Sequence, residues 1–178
     1  EEIFTARFDG QVQQVDAYTL VCMICATEMS PSFSQEALKA QAVAAHTYAE
    51  RQCLAAAGRE DLQGADFSDD PGKFQAFFTE DELRERWGTH FDTNYRMLSA
   101  VVDEVAEELL TYEDTPIIAA FHAMSGGKTE SAKNVWGSEI AYLQSVDSSA
   151  DRNAPQFEQN VSYTAEQVKD MLSASREG

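Results

Sequence analysis

Basic residues are scarce in this chain: 13 Lys and Arg stand against 31 Asp and Glu among 178 residues, a formal charge of −18. Such a surface repels phosphate backbones and anionic lipid, which argues against nucleic acid as a partner. The acids are spread along the chain, as in Glu80 to Glu85 and Asp103 to Glu108, and read as a solvated face. Cysteine is also sparse. Three residues, an odd number, make no disulfide framework, and Cys22-x-x-Cys25 lacks the second pair or the histidines that a zinc site needs, so the pair is expected in the core. No apolar run approaches membrane-spanning length and no signal-peptide pattern is present. The chain opens Glu-Glu-Ile without an initiator Met and is read as a mature or cut-down form, which leaves the targeting of its parent open. Low-complexity tracts, repeats and linkers are lacking too. With 43% hydrophobic and 25% charged residues, the composition is that of a folded globular protein, expected to form one domain over 1–178.

What is there is punctuated by readable signals. Ile3 to Phe8 and Val12 to Val15 flank Asp9-Gly10, a hairpin pattern. Asp16 can cap a helix whose apolar positions Leu20, Met23, Ile24 and Thr27 follow helical spacing. Ser34 is the natural N-cap of a second, alanine-rich helix. Phe33 and Leu38 are placed as a hydrophobic staple, and Leu38, Ala42, Ala45, Ala49, Cys53 and Ala56 form one stripe ending near Gly58. Its small side chains suit a central helix that packs closely. A turn is expected at Asp69-Asp70-Pro71-Gly72, a short helix from Thr79 to Trp87, and another over about Thr93 to Ala106. The period then changes: Glu108 to Tyr112 and Pro116 to Met124 read as a β-hairpin, Leu143 to Val146 and Val161 to Tyr163 as strands, and a last helix starts at Ala165. The sum is an α+β fold with an N-terminal hairpin, a central Ala-rich helix and later antiparallel strands.

Two constellations can carry chemistry. Glu28 lies four residues after Ile24 and eight after Leu20, on or beside an apolar helix face. A carboxyl group against apolar surface has its charged form disfavoured and can serve as a general acid near neutral pH. The alternatives are a helix-end Glu paired with Lys39 or Arg51, or a solvated one. The second constellation is His122-Ala-Met-Ser125-Gly126-Gly127-Lys-Thr129-Glu130. Its glycines allow close backbone approach to a ligand, and His122, Ser125 and Thr129 offer hydrogen bonds; a tight turn with a satisfied histidine is the alternative. The segment is neither a nucleophile elbow nor a phosphate loop, since the glycines those motifs need are missing.

Glu28-Met…Glu36-Ala-Leu-Lys-Ala-Gln-Ala-Val-Ala-Ala-x-Thr47-Tyr48 resembles the SpoIID/LytB domain, the stage II sporulation protein D family. Asp69-Asp70-Pro71-x-x-x-Gln75-Ala, Ala119-x-Phe121-His122-x-x-Ser125-Gly126-Gly127-x-Thr129-Glu130 and Val135-Trp136-Gly137…Tyr142-Leu143-x-Ser145-Val146-Asp147…Asp151 resemble it in the same order. The resemblance implies a peptidoglycan lytic transglycosylase acting on peptide-free glycan strands, extracytoplasmic and wall-associated, its parent secreted or anchored by a segment outside this chain. It implies Glu28 as the single acid and base, and Lys39, Gln41, His46, Tyr48, Gln75, His122, Ser125, Gly126 and Thr129 as substrate-binding residues. A cell-wall amidase and other wall-remodelling proteins are the implied partners, and a non-catalytic module that recruits or stimulates an amidase is the other reading. The chain departs from the family at His46, where relatives usually carry Arg. Some relatives also hold zinc through Cys and His in the loop before Gln75; Ser68 to Phe74 contains neither, so no metal or other cofactor is expected. Family domains often continue beyond the last helix, so part of the usual C-terminal region is expected to be missing.

Overall fold

The structure, a computed structural model, describes residues 3–8, 11–68, 70, 74–155 and 157–174. The fold is α+β, and the chain divides into two compact units, residues 1–121 and 122–178.

In the first unit, β1 (Ile3–Phe8) pairs antiparallel with β2 (Gln11–Asp16), Ile3 opposite Asp16 and Phe8 opposite Gln11. The Asp9-Gly10 turn lies outside the described residues, but the register is the one a two-residue connection enforces. A third strand, β3 (Phe67–Ser68), runs parallel to β1 on its other edge. Asp66 fixes that edge: its Oδ2 accepts from the Thr5 N–H at 2.7 Å and from Thr5 Oγ1 at 2.8 Å, while Cys53 Sγ donates to Oδ1 at 3.1 Å. Period-two alternation buries Phe4 and Ala6, and Phe4 meets Phe67 edge-on with ring centroids 5.7 Å apart.

Helix α1 (Ala17–Glu28) starts where expected, with the Asp16 side chain accepting from the Thr19 N–H. Every residue from Leu20 to Ala26 is buried, so this helix is enclosed on all sides. Cys22 and Cys25 are part of that core, and burial pushes both thiols up to about 12. Helix α2 (Gln35–Ala56) is capped by Ser34 and buries Leu38, Ala42, Ala45 and Ala49. Its alanines allow close approach to α1, to α4 (Phe91–Asp103), to β3 and to the Thr115–Pro116 segment. Phe33 is more than half exposed, so the expected staple contributes little burial. Helix α3 (Glu80–Trp87) begins with a full capping box: Glu82 N donates to Thr79 Oγ1, and the Thr79 N–H donates to Glu82 Oε2 at 2.7 Å. Thr47, fully buried, donates to the Val43 carbonyl and accepts from the Leu110 N–H at 2.9 Å, tying the following segment to α2.

The later strands are shorter than expected. β4 (Thr111–Tyr112) and β5 (Thr115–Pro116) form an antiparallel pair across Glu113 and Asp114, both at positive φ as a primed two-residue turn requires. Pro116 has no N–H to extend the ladder. One further bond, Ile117 N to Leu110 O, is followed by a tight i+2 to i bond from Ala120 N to Ile118 O that ends the extension.

The second unit holds α5 (Ala132–Trp136), a 3₁₀ turn at Ser149–Asn153 and α6 (Ala165–Ala174). Leu143–Val146 and Val161–Tyr163 are not strands: among the described residues of this unit, Lys128 and Asp147 alone form an isolated antiparallel bridge. Their apolar residues do not find a sheet face, and Val146, Val161 and Tyr163 remain more than half exposed.

Candidate active site

Glu28 is the last residue of α1. Leu20, Ile24 and Glu28 follow one another at four-residue spacing, so the carboxyl continues a line of the helix that is otherwise apolar. The side chain is exposed, not partly buried as the sequence suggests, yet its surroundings withdraw enough water to raise the carboxyl above its ordinary value. The C-terminal carbonyls of the helix push in the same direction, since they disfavour negative charge. Next to it, Thr27 Oγ1 donates to the Met23 carbonyl and accepts from the Phe78 N–H at 2.7 Å, which docks the 74–78 segment against this end of α1.

That segment, through Gln75, lines a small, partly open cavity of about 20 Å³ with Leu20 and Ile24 of α1, Tyr48 and Gln52 of α2, and Phe67. Burial raises the Tyr48 phenol, and Gln52 hydrogen-bonds it. The Gln75 Nε2 and Oε1 atoms are both buried and have no hydrogen-bond partner among the described residues, and the same holds for Gln41 Nε2. Tyr48 and Gln75 are therefore brought together, and Gln41 lies two turns before Tyr48 on the same side of α2.

Lys39 and His46 belong to another side of that helix. Lys39 Nζ bridges Glu104 at 2.6 Å and Glu36 at 3.2 Å, and its ammonium is held above the ordinary lysine value first by the Glu104 hydrogen bond. His46 is buried, 4.0 Å from Glu50 Oε1, and lines an open pocket of about 610 Å³ with Ala42, Asp16, Tyr18, Asp103 and Glu107.

In the second unit, Asp151 organises the Ser125-Gly126-Gly127 loop. One of its oxygens accepts from the Ser125 N–H at 2.8 Å, from Ser125 Oγ at 2.6 Å and from Ser148 Oγ at 2.9 Å. These bonds, that of the Ser125 side chain first, hold the Asp151 carboxyl below its usual range, and the nearby His122 adds to the effect. The Ser125 hydroxyl also accepts from the Gly127 N–H, so it is committed to the loop. Gly127 sits at φ +96°, and a Cβ there would lie 2.8 Å from Arg152 Nε. Thr129 pairs with Val146 in both directions and lines a polar surface pocket of about 600 Å³; Gly126 has open space around its Cα. Gln52, Thr27 and the aromatic walls Phe67, Phe74 and Phe77 were not among the residues expected at the site. For Gln52 alone a signal existed, its place one turn after Tyr48.

A raised helix-end acid, on a helix that also walls an apolar cavity with one unmatched amide, makes this a candidate carboxyl-centred site on an α+β scaffold. Residues 9–112 match the family described as Stage II sporulation protein. Over 167 residues, 94% of this chain, it is 34% identical to Stage II sporulation protein D of Bacillus subtilis (strain 168) and 32% identical to that of Bacillus amyloliquefaciens. It is also 31% identical over 116 residues to the Amidase enhancer of Bacillus subtilis, covering 65% of this chain and 13% of that protein. The chain belongs to the stage II sporulation protein D (SpoIID) family. It spans about half, 48%, of the length of the sporulation proteins it matches.

Proposed function

We propose that the chain is a lytic transglycosylase of peptidoglycan glycan strands, with Glu28 as its single general acid and base. The observation that carries this reading is the raised carboxyl of Glu28 at the end of α1, in line with Leu20 and Ile24, which wall the cavity shared with Tyr48 and Gln75. Protonated Glu28 gives its proton to the glycosidic oxygen as the bond to C1 breaks. The resulting carboxylate takes the proton of the muramic acid C6 hydroxyl, whose oxygen bonds to C1 and closes a 1,6-anhydro ring. No water enters and Glu28 ends protonated, so one carboxyl serves where most glycosidases use two. The site of action is extracytoplasmic, at the cell wall.

Digestion of purified, peptide-free glycan strands tests the reading. Wild type releases anhydromuramyl products, and Glu28→Gln reduces their rate by at least about 100-fold, the lower range of general acid–base contributions. Because the acid form must be present, kcat/KM falls as pH rises through a value above the ordinary glutamate range. Folding carries the same mark of the shift: a raised carboxyl contributes stability at low pH that is lost as pH rises through its folded value, so Glu28→Gln is expected to be slightly more stable than wild type at neutral pH. Strand cleavage that survives Glu28→Gln overturns the assignment.

A second reading rests on the similarity to the Amidase enhancer: a wall-binding module that stimulates an amidase. Strand binding without products, together with faster amidase turnover on addition of the chain, favours that reading.

A further inference from the structure

The cavity at His46 is separate from the one at Gln75 and far larger, with about 610 Å³ of free space. Its floor is hydrocarbon, from the buried Val21, Ala42, Val102 and Val105, and its rim carries Asp16, Asp103 and Glu107. No Lys or Arg lines it. The carboxylates of Asp103 and Glu107 are exposed and make no hydrogen bond or ion pair among the described residues, whereas Glu104 between them holds Lys39 at 2.6 Å. Their placement works against the fold. Asp103 is the last residue of α4, whose C-terminal carbonyls disfavour negative charge, and no basic residue stands in its last turn. Glu107 follows four residues later, which sets like charges one turn apart. An apolar floor under acids that no described Lys or Arg neutralises calls for a cation on a hydrocarbon stem. The apolar surface also continues outside the cavity. Leu109 belongs to its wall and Leu110 follows, both exposed, on a segment that the bond from the Leu110 N–H to Thr47 Oγ1 holds to α2.

We infer that this cavity docks an extended segment of a protein partner that carries two Lys or Arg residues at alternate positions, flanked by apolar side chains. Asp103 and Glu107 are separated by roughly 6–8 Å of helical rise. Alternate residues of an extended chain are about 7 Å apart, so two cations reach the two carboxylates together. Their alkyl stems lie along Val21, Ala42 and Val102 while the charged heads stay wet at the rim. The flanking apolar residues cover Leu109 and Leu110, which a small free polyamine leaves exposed. A second copy of the chain is disfavoured as the occupant by the −18 that both copies carry. The same charge draws a basic partner toward the surface. The cavity lies wholly within the first unit, and the inference is independent of whether Glu28 cleaves glycan.

Titration of the full, isotope-labelled chain with the peptide acetyl-Leu-Leu-Lys-Gly-Lys-Leu-Leu-amide reads the cavity by NMR. Saturable shifts are expected at the amides of Val21, Ala42, Val102 and Leu109. Acetylating both lysine side chains keeps their stems and removes their charge, and is expected to weaken binding about tenfold, as for two partly screened ion pairs. Serine in place of the four leucines is expected to weaken it by at least about tenfold. On the protein, Asp103→Asn with Glu107→Gln is expected to lower affinity about tenfold, with Tm equal to or above that of wild type because like charges at a helix end are removed. Asp81→Asn with Glu85→Gln removes the same charge from α3, which packs at the opposite end of α4 through Arg84 and Phe91. That pair is expected to change affinity less than about twofold. Equal weakening by both protein pairs shows diffuse attraction to an acidic surface and overturns the inference. A fall in Tm on changing Asp103 and Glu107 marks them as structural and overturns it too. Cavity shifts that grow with protein concentration alone assign the surface to a second copy, and tighter binding of spermidine than of the peptide assigns it to a small cation. Either result overturns docking of a partner segment, as does the absence of shifts with every peptide.

Discussion

In the first unit, Leu20, Leu38, Leu62, Leu83 and Leu98 lose nearly all contact with water; in the second, Ala132 is the one apolar residue among those described that is buried. The first unit is therefore held by burial of helix faces, each large side chain contributing roughly 1.5–3 kcal/mol. The second is held by polar closure of turns, with the Asp151 carboxylate gathering Ser125 and Ser148 and the Thr129–Val146 pair bracing the same loop. Two ways of making a backbone hold still coexist in one chain. Glu28 and Gln75 belong to the first kind, and Ser125, Gly126 and Thr129 to the second.

The contrast can be broken most violently at Leu38. Leu38→Ala opens a cavity among α1, α2 and α4 and is expected to cost about 2–5 kcal/mol in urea unfolding. Thr47→Val keeps the shape but strips the Leu110 N–H of its acceptor, at a cost of about 1–3 kcal/mol in the same measurement. Asp151→Asn is expected to leave global unfolding nearly unchanged while hydrogen-exchange protection is lost at Ser125 and Gly127 and retained in α1 and α2. In wild type that local protection has a pH signature. A depressed carboxyl contributes stability above its ordinary value, and the contribution disappears as pH falls through the lower folded value. The smallest effect belongs to Val161→Ala, two-thirds exposed in the second unit and expected to stay within about 0.5 kcal/mol of wild type. A cost of core size at Val161 would show that the second unit buries its apolar residues in solution.

The same contrast explains what could be read from the sequence. Caps are local chemistry, so Asp16, Ser34 and Thr79 were legible as helix starts, and the 3.6-residue stripe of α2 announced its buried face. The hairpin joining Tyr112 to Pro116 was legible too, but not how soon it ends, because that depends on a missing N–H at Pro116 and on the bond from Ala120 to Ile118. Leu143–Val146 looks like a strand by composition, yet a strand needs a partner edge, and among the described residues of its unit only the single bridge at Lys128 and Asp147 forms. At the site, Glu28 and its apolar line were visible from spacing. The cavity was not, since Gln75 reaches it only through tertiary packing of the 74–78 segment against Thr27.

Asp66 adds a consequence in time. Its bonds to Thr5 join positions 61 residues apart, across the whole of α1 and α2. Closing so long a loop costs entropy before any contact repays it, whereas helices gather their bonds from neighbours. During folding, α1 and α2 are thus expected to form before the parallel edge that carries Phe67. Since Phe67 walls the cavity beside Tyr48 and Gln75, the chain acquires the helix that ends in Glu28 first and the cavity only when β1 and β3 meet.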